Sequence, residues 1–225
     1  MNTDLFQQQL FAKDEVIIKN HFFQKKIKRL LDIFVSTILI IITSPILLAS
    51  CIAIKQDSSG SPIYKQVRLG YKEKEFTAYK LRTMYEHSSE GNLKAPKDGD
   101  TRVTKVGRIL RKTSIDELPQ LINVFIGDMS ILGPRAVPKK ELQLRCEKML
   151  INNPDKEELF NQAMHVRMLV KPGISGMAQA FGRSSLSVEA ATGYDVYYAI
   201  NYSLWLDVKI FFKTIDTILF QRGVN

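Results

Sequence analysis

The chain has 225 residues, 45% of them hydrophobic, which suits one ordinary domain with a sizeable core, or a membrane element plus a domain of roughly 150 residues, and one unit of catalytic size is expected. Its 32 Lys and Arg against 23 Asp and Glu leave a formal net charge of +9, which asks for an anionic partner: a membrane surface, a nucleic acid or a phosphorylated substrate. Cys51 stands in an apolar run and Cys146 in a charged stretch, so neither a disulfide framework nor a cysteine metal site is encoded, and a reducing cytosolic setting fits best.

Residues 1–27 read as a weakly patterned N-terminal arm. From Leu30 to Ile54 follow 25 residues whose only charge is Asp32, long enough for a transmembrane helix. Pro45 removes a backbone donor, so a break is expected near Thr43 and Ser44, with a serine hydroxyl satisfying the freed backbone. Each half is then too short to cross a bilayer. Lys19, Lys25, Lys26, Lys28 and Arg29 precede the run, and Lys55, Lys65, Arg68, Lys72 and Lys74 follow it, so both ends carry a cytoplasmic signature. These features predict a re-entrant helix-break-helix over 28–55, with Asp32 pairing to Lys28 or Arg29 one turn away. A kinked simple span and a lipoprotein signal cleaved before Cys51 are the competing readings.

Residues 56–225 form the expected cytosolic domain. Gly60, Pro62 and Gly70 punctuate β-prone runs around Tyr64 and Phe76, which predicts two short strands or a hairpin, with Arg68, Lys80 and Arg82 available to a polyanion. Glu86 to Asp100 reads as a loop. In "RKTSIDELPQLINV" the Ser114 to Glu117 spacing is that of a capping box, placing a helix start at Ser114 with Asp116 and Glu117 in its first turn. That reading alone is structural. Arg102, Lys105, Arg108, Arg111 and Lys112 upstream and Arg135 in "GPR" downstream set the two carboxylates in surroundings suited to phosphate and expected to keep both ionised. Successive helical residues point about 100° apart, so the pair can take different roles. An ionised aspartate there is a candidate nucleophile toward phosphorus or a magnesium ligand.

Glu141 to Met168 reads as helical with a break at Pro154, and the Gly-rich "KPGISGMAQAFGRSS" as a loop carrying Arg183 toward the site. Leu204, Val208, Phe211, Ile215 and Leu219 recur at helical spacing, as a core stripe or as an in-plane interfacial helix with Tyr198, Tyr202 and Trp205 at headgroup level. The expected fold class is α+β, mostly helical, with a re-entrant membrane helix broken at Ser44 and Pro45, a small cytosolic catalytic domain with short strands, and interfacial amphipathic helices.

Taken in order, "KRLLD", the Ser44-Pro45 pair, "GSPIYKQVRLG", "YKLRTM", "RVTKVGRILRKTSIDELPQLINV", "GDMSILGPR", "KPGISGMAQ" and "DVYYAINYSLWLDVKI" closely resemble the bacterial sugar transferase family, the monotopic phosphoglycosyl transferases, from about Lys28 to the C-terminus. The resemblance implies transfer of a sugar-1-phosphate from a UDP-sugar to undecaprenyl phosphate at the cytoplasmic face of a bacterial inner membrane, as the first membrane step of surface-glycan assembly. It further implies Asp116 as nucleophile, Glu117 as its partner, and Mg2+ held by Asp116 and Glu117. Lys80, Arg111, Pro134, Arg135 and Arg183 become the substrate-binding set. The chain departs from the family pattern at Ala136, where many members have a second proline, and at Met177, where many have tryptophan. A nucleic-acid partner is not expected, since no recognition motif accompanies the basic residues. A non-catalytic basic membrane-surface module is the alternative from another class, and a homodimer is left open.

Overall fold

The computed structural model describes residues 22–86, 88, 99–182 and 186–219. The arm up to residue 21, the middle of the loop expected between Glu86 and Asp100, and Arg183 lie outside the described residues. A long helix, α1 (Phe22–Asp57), leads into an antiparallel hairpin of β1 (Ile63–Leu69) and β2 (Glu75–Leu81), in which Tyr64 faces Lys80. Then come α2 (Lys105–Thr113), a 3-10 turn at Ile115–Glu117, α3 (Gln120–Ile126) and β3 (Ser130–Leu132). The helices α4 (Lys139–Asn152) and α5 (Glu157–Val166) are separated by a turn at Pro154–Lys156, as the proline predicts. The strand β4 (Gly173–Ser175) pairs parallel with β3, and α6 (Met177–Phe181), α7 (Val188–Ile200) and α8 (Leu204–Leu219) complete the described chain. The architecture is α+β and mostly helical, as expected.

The break expected at Ser44 and Pro45 does not interrupt α1, which stays helical through both residues. Pro45 has no N–H for the Ile41 carbonyl, but Ser44 Oγ donates to that same oxygen at 2.8 Å, and Thr43 Oγ1 donates to the Leu39 carbonyl at 2.7 Å. The hydroxyl therefore fills the role expected of it, and the filled carbonyl lets the helix continue past the proline.

Both ends of α1 are fastened to the same domain. Near its start Lys28 Nζ pairs with Asp207 Oδ2 of α8 at 2.6 Å, and the Arg29 guanidinium donates to the Val124 and Phe125 carbonyls at the end of α3. Asp32 accepts from Ser130 Oγ and the Ile131 N–H, both at 3.0 Å, so the pairing expected between Asp32 and Lys28 or Arg29 does not form; partners distant in sequence take all three side chains. Near the other end Ile54 is buried with Leu81 and Leu110, Leu47 and Cys51 pack against them, and Asp57 Oδ2 accepts from the Val106 N–H. Between these fastenings Ile38, Ile41, Ile42, Ile46 and Leu48 are exposed.

The main core joins Leu132 of β3, Leu159, Ala163 and Val166 of α5, Val196 and Tyr198 of α7, and Ile210 of α8. Tyr198 and Tyr202 are buried, which removes them from the headgroup role expected of them, whereas Trp205 is exposed. On α8 the buried face carries Asp207, Ile210 and Thr217. Of the expected stripe, Val208, Phe211 and Ile215 face outward and Leu204 is half-buried, so these residues do not form a core face; the Leu219 side chain lies outside the described ones.

Candidate active site

The β2 strand delivers Lys80, and the turn after β3 delivers Arg135, to the two sides of Glu117. Glu117 Oε1 accepts from Lys80 Nζ at 2.6 Å and from Arg135 Nη2 at 2.7 Å. Burial alone would raise the Glu117 carboxyl, but Arg135 and Lys80 outweigh it and bring it down to about 2. Lys80 is itself lowered by burial, with Glu117 pulling the other way.

Local chemistry explains how the pair of acids is presented. Thr104 caps α2 by accepting from the Gly107 N–H, and Gly107 packs so closely on the end of β2 that a Cβ there would lie 2.1 Å from the Thr83 carbonyl oxygen. This approach brings Arg111 to Thr83, whose Oγ1 accepts from Arg111 Nη1 at 3.3 Å. The capping box expected at Ser114 is not formed. Ser114 ends α2 in the left-handed region (φ 57°, ψ 17°), makes no side-chain cap, and hands the chain to the 3-10 turn that holds Asp116 and Glu117. A capping serine needs extended φ/ψ, which the helix before it denies this one.

Asp116 stands half-buried next to Glu117 and behaves differently. Burial raises its carboxyl above the ordinary aspartate value, Lys80 opposes this, Glu117 adds to it, and Arg111 opposes it again. Basic surroundings thus lower the Glu117 carboxyl, whereas the Asp116 carboxyl shifts upward because burial costs its charged form more than Lys80 and Arg111 return.

Arg135 is fixed from behind. Its carbonyl oxygen accepts from Arg167 Nη2 at 2.8 Å, and Arg167 in turn forms a buried ion pair with Asp195 Oδ2 at 2.7 Å. Pro134 is buried, and its carbonyl accepts from the Gly173 N–H at 2.9 Å, so it shapes the turn. Arg68 is turned inward to the Ala136 carbonyl and Gln66, and Arg82 to the carbonyls of Ser58 and Ser59, so these two arginines brace the hairpin. Sequence reasoning missed Arg167, Asp195 and Asn123. Asn123 is fully buried, donates to the Thr77 carbonyl at 2.7 Å and accepts from the Tyr79 N–H at 3.1 Å, which ties α3 to the strand carrying Lys80. An asparagine within the apolar "LPQLINVF" was the available signal.

The structure thus brings together Lys80, Asp116, Glu117 and Arg135 with Arg111 nearby. Among the described residues no group of three His, Cys, Asp or Glu side chains converges on one point. Magnesium does not need one, since it keeps water and takes one or two carboxylates alongside substrate phosphates. Asp116 fits that role, together with the Glu117 oxygen that Lys80 and Arg135 do not hold.

A family model described as bacterial sugar transferase matches residues 23–221. A UDP-N-acetylgalactosamine-undecaprenyl-phosphate N-acetylgalactosaminephosphotransferase of Aeromonas hydrophila is 41% identical over 88% of this chain and 45% of its own length. An uncharacterized sugar transferase of Bacillus subtilis is 43% identical over 88% of this chain and 90% of its own. A UDP-glucose:undecaprenyl-phosphate glucose-1-phosphate transferase of Klebsiella pneumoniae is 38% identical over 84% of this chain and 39% of its own. The chain therefore spans less than half of the Aeromonas and Klebsiella proteins and nearly all of the Bacillus one.

Proposed function

Because the chain belongs to the bacterial sugar transferase family, we propose that it is a phosphoglycosyl transferase that moves a sugar-1-phosphate from a UDP-sugar to undecaprenyl phosphate, initiating exopolysaccharide, capsule or another surface glycan. The observation that carries this reading is the unequal pair: Glu117 locked between two cations, and Asp116 beside it with its carboxyl raised by burial and left for substrate.

In the first half-reaction an Asp116 carboxylate oxygen attacks the β-phosphorus of the donor. An oxygen–phosphorus bond forms, the bond to the bridging oxygen breaks, and its electron pair leaves on UMP. In the second, a phosphate oxygen of the lipid attacks the same phosphorus and returns Asp116 as a free carboxylate. Lys80 and Arg135, aligned by Glu117, and Arg111 at the rim hold phosphate oxygens and offset charge on the leaving group. Bound magnesium would supply further charge neutralisation at the diphosphate.

The length and fastenings of α1 support a membrane arrangement for this reading. At about 1.5 Å per residue its 36 residues extend about 54 Å, well beyond a hydrocarbon core of about 30 Å. A simple span would separate its ends by the bilayer, yet both ends are fastened to one domain. A bend of the continuous helix about Pro45, bringing entry and exit to one face, would reconcile these facts, and the basic flanks support the cytoplasmic face. The outward Trp205, Phe211 and Phe212 of α8, with Ile122, Phe125 and Ile126 of α3, supply interfacial surface.

The test is intact-mass spectrometry of the detergent-purified protein after brief incubation with magnesium and a panel of UDP-sugars without lipid acceptor. An added mass of one sugar phosphate, absent in Asp116→Asn, is expected; no adduct and no UMP release with any donor would overturn the reading.

A further inference from the structure

A second basic site lies away from the acids. The first turns of α1 border a cavity of about 160 Å³ whose lining includes Lys25, Arg29, Tyr71, Val170 and Lys171, and which shares no lining residue with the cluster around Glu117. Its charges are unevenly matched. Lys28 is paired with Asp207, and Asp32 is spent on Ser130 and the Ile131 N–H. Arg29 gives its guanidinium to two backbone carbonyls, which carry no net charge, and Lys171 makes no ion pair among the described residues.

These two cations close on one point. A Cβ added to Gly127 would lie 3.2 Å from Arg29 Nη2 and 3.5 Å from Lys171 Nζ. Burial, and Arg29 after it, lower the pKa of Lys171. Lys25 stands over the Tyr71 ring, 6.0 Å from its centroid, at the same cavity. Asp32 and Asp128 act on Lys171 and oppose that lowering, but neither forms an ion pair with it or with Arg29 among the described residues, and an anion with several acceptor oxygens would relieve the repulsion left between the two cations. The apolar lining of Tyr71, Leu169 and Val170 suits a short organic group carried on that anion.

Location selects the source of the anion. Within two turns of Arg29 the same helix exposes Leu30, Leu31 and Phe34, at 68%, 51% and 64% of their surface, so the cavity opens where the apolar part of α1 begins. That is headgroup level for a helix entering a bilayer. We propose that the cavity binds the headgroup phosphate of an anionic bilayer phospholipid, with Arg29 and Lys171 on the phosphate oxygens and Lys25 at the mouth.

The proposal rests on the membrane reading for its ligand source and adds to the transfer reaction a structural lipid site. Its test uses full-length detergent-purified protein titrated with dihexanoyl phosphatidylglycerol, and in parallel with inorganic phosphate and with undecaprenyl phosphate, in the Asp116→Asn background so that nothing turns over. Lys171→Gln should weaken the short phospholipid about tenfold and Lys25→Gln by a few-fold, the loss of one charge-assisted contact each, while undecaprenyl phosphate affinity is unchanged. Lys25 is exposed, so its variant decides the matter if Lys171→Gln does not fold. Phospholipid affinity unchanged in the variants would overturn the proposal, as would equal binding of inorganic phosphate or a loss confined to undecaprenyl phosphate. Co-sedimentation of the wild type with phosphatidylglycerol vesicles reports the membrane reading separately: failure to sediment sinks that reading, whereas sedimentation with headgroup binding indifferent to Lys171 and Lys25 sinks only the site.

Discussion

Arg167 holds Arg135 by its carbonyl oxygen, at 2.8 Å, and is itself held by the buried carboxylate of Asp195. The guanidinium that meets Glu117 is thus positioned through the backbone by an ion pair that touches no reacting group. Replacing Asp195 by alanine strands the Arg167 charge in the core, which costs on the order of 3–5 kcal/mol. Urea unfolding is expected to show that loss. At temperatures where the variant is folded, kcat/KM should fall as well, because the Arg135 turn is no longer fixed; unchanged kcat/KM in the folded variant would confine Asp195 to stability.

Glu117 makes acid stability predictable in sign. Its folded pKa is depressed to about 2 from an ordinary 4.5, so the native state gains stability above the ordinary value that is lost as pH falls through the folded one. Unfolding measured from neutral pH downward should show the wild type losing its advantage over Glu117→Gln between about 4.5 and about 2. An advantage constant across that window would mean that Lys80 and Arg135 are not what hold this carboxyl.

Asp116 runs in the opposite direction. Its raised pKa disfavours the ionised form that the proposed mechanism needs for attack on phosphorus, so the acid limb of the proposed covalent step should lie above the ordinary aspartate value of 3.8. Lys80 opposes the shift, so Lys80→Met should move that limb further up and slow adduct formation at neutral pH. The measurement is adduct formation against pH by rapid quench; a limb that moves down in Lys80→Met would contradict the assignment.

The shared fastening of the two ends of α1 predicts their sidedness. In a background with Cys51 and Cys146 replaced by serine, single cysteines at Lys26 and at Lys55 should react with an impermeant maleimide only in inverted membrane vesicles. Labelling of one site from each side would establish a simple span instead.

Periodicity and turn chemistry made much of this legible: the apolar helix, the hydroxyl beside Pro45, the hairpin around Tyr64 and Phe76, and the break at Pro154. The acids at Asp116 and Glu117 were visible too, as were Lys80 and Arg135. What was not legible depended on contacts across the chain. Asp32 looked like a partner for Lys28 because they share a helix face, yet Ser130 reaches it from 98 residues away. Ser114 fits a capping motif by spacing, but its backbone is already committed to ending α2. The stripe on α8 shows why spacing alone misleads, since an apolar face turned outward and one turned to protein have the same period.

The two fastenings of α1 also set the geometry of encounter. A domain tethered by one flexible end samples a hemisphere of bulk solution, whereas one clasped at Lys28 and again at Ile54 rides at a set height and tilt. On the proposed function, a lipid acceptor would arrive by diffusion in two dimensions and be counted per unit area, while a nucleotide sugar would be counted per unit volume. Crowding the leaflet with other lipids and diluting the cytosol would therefore slow different half-reactions.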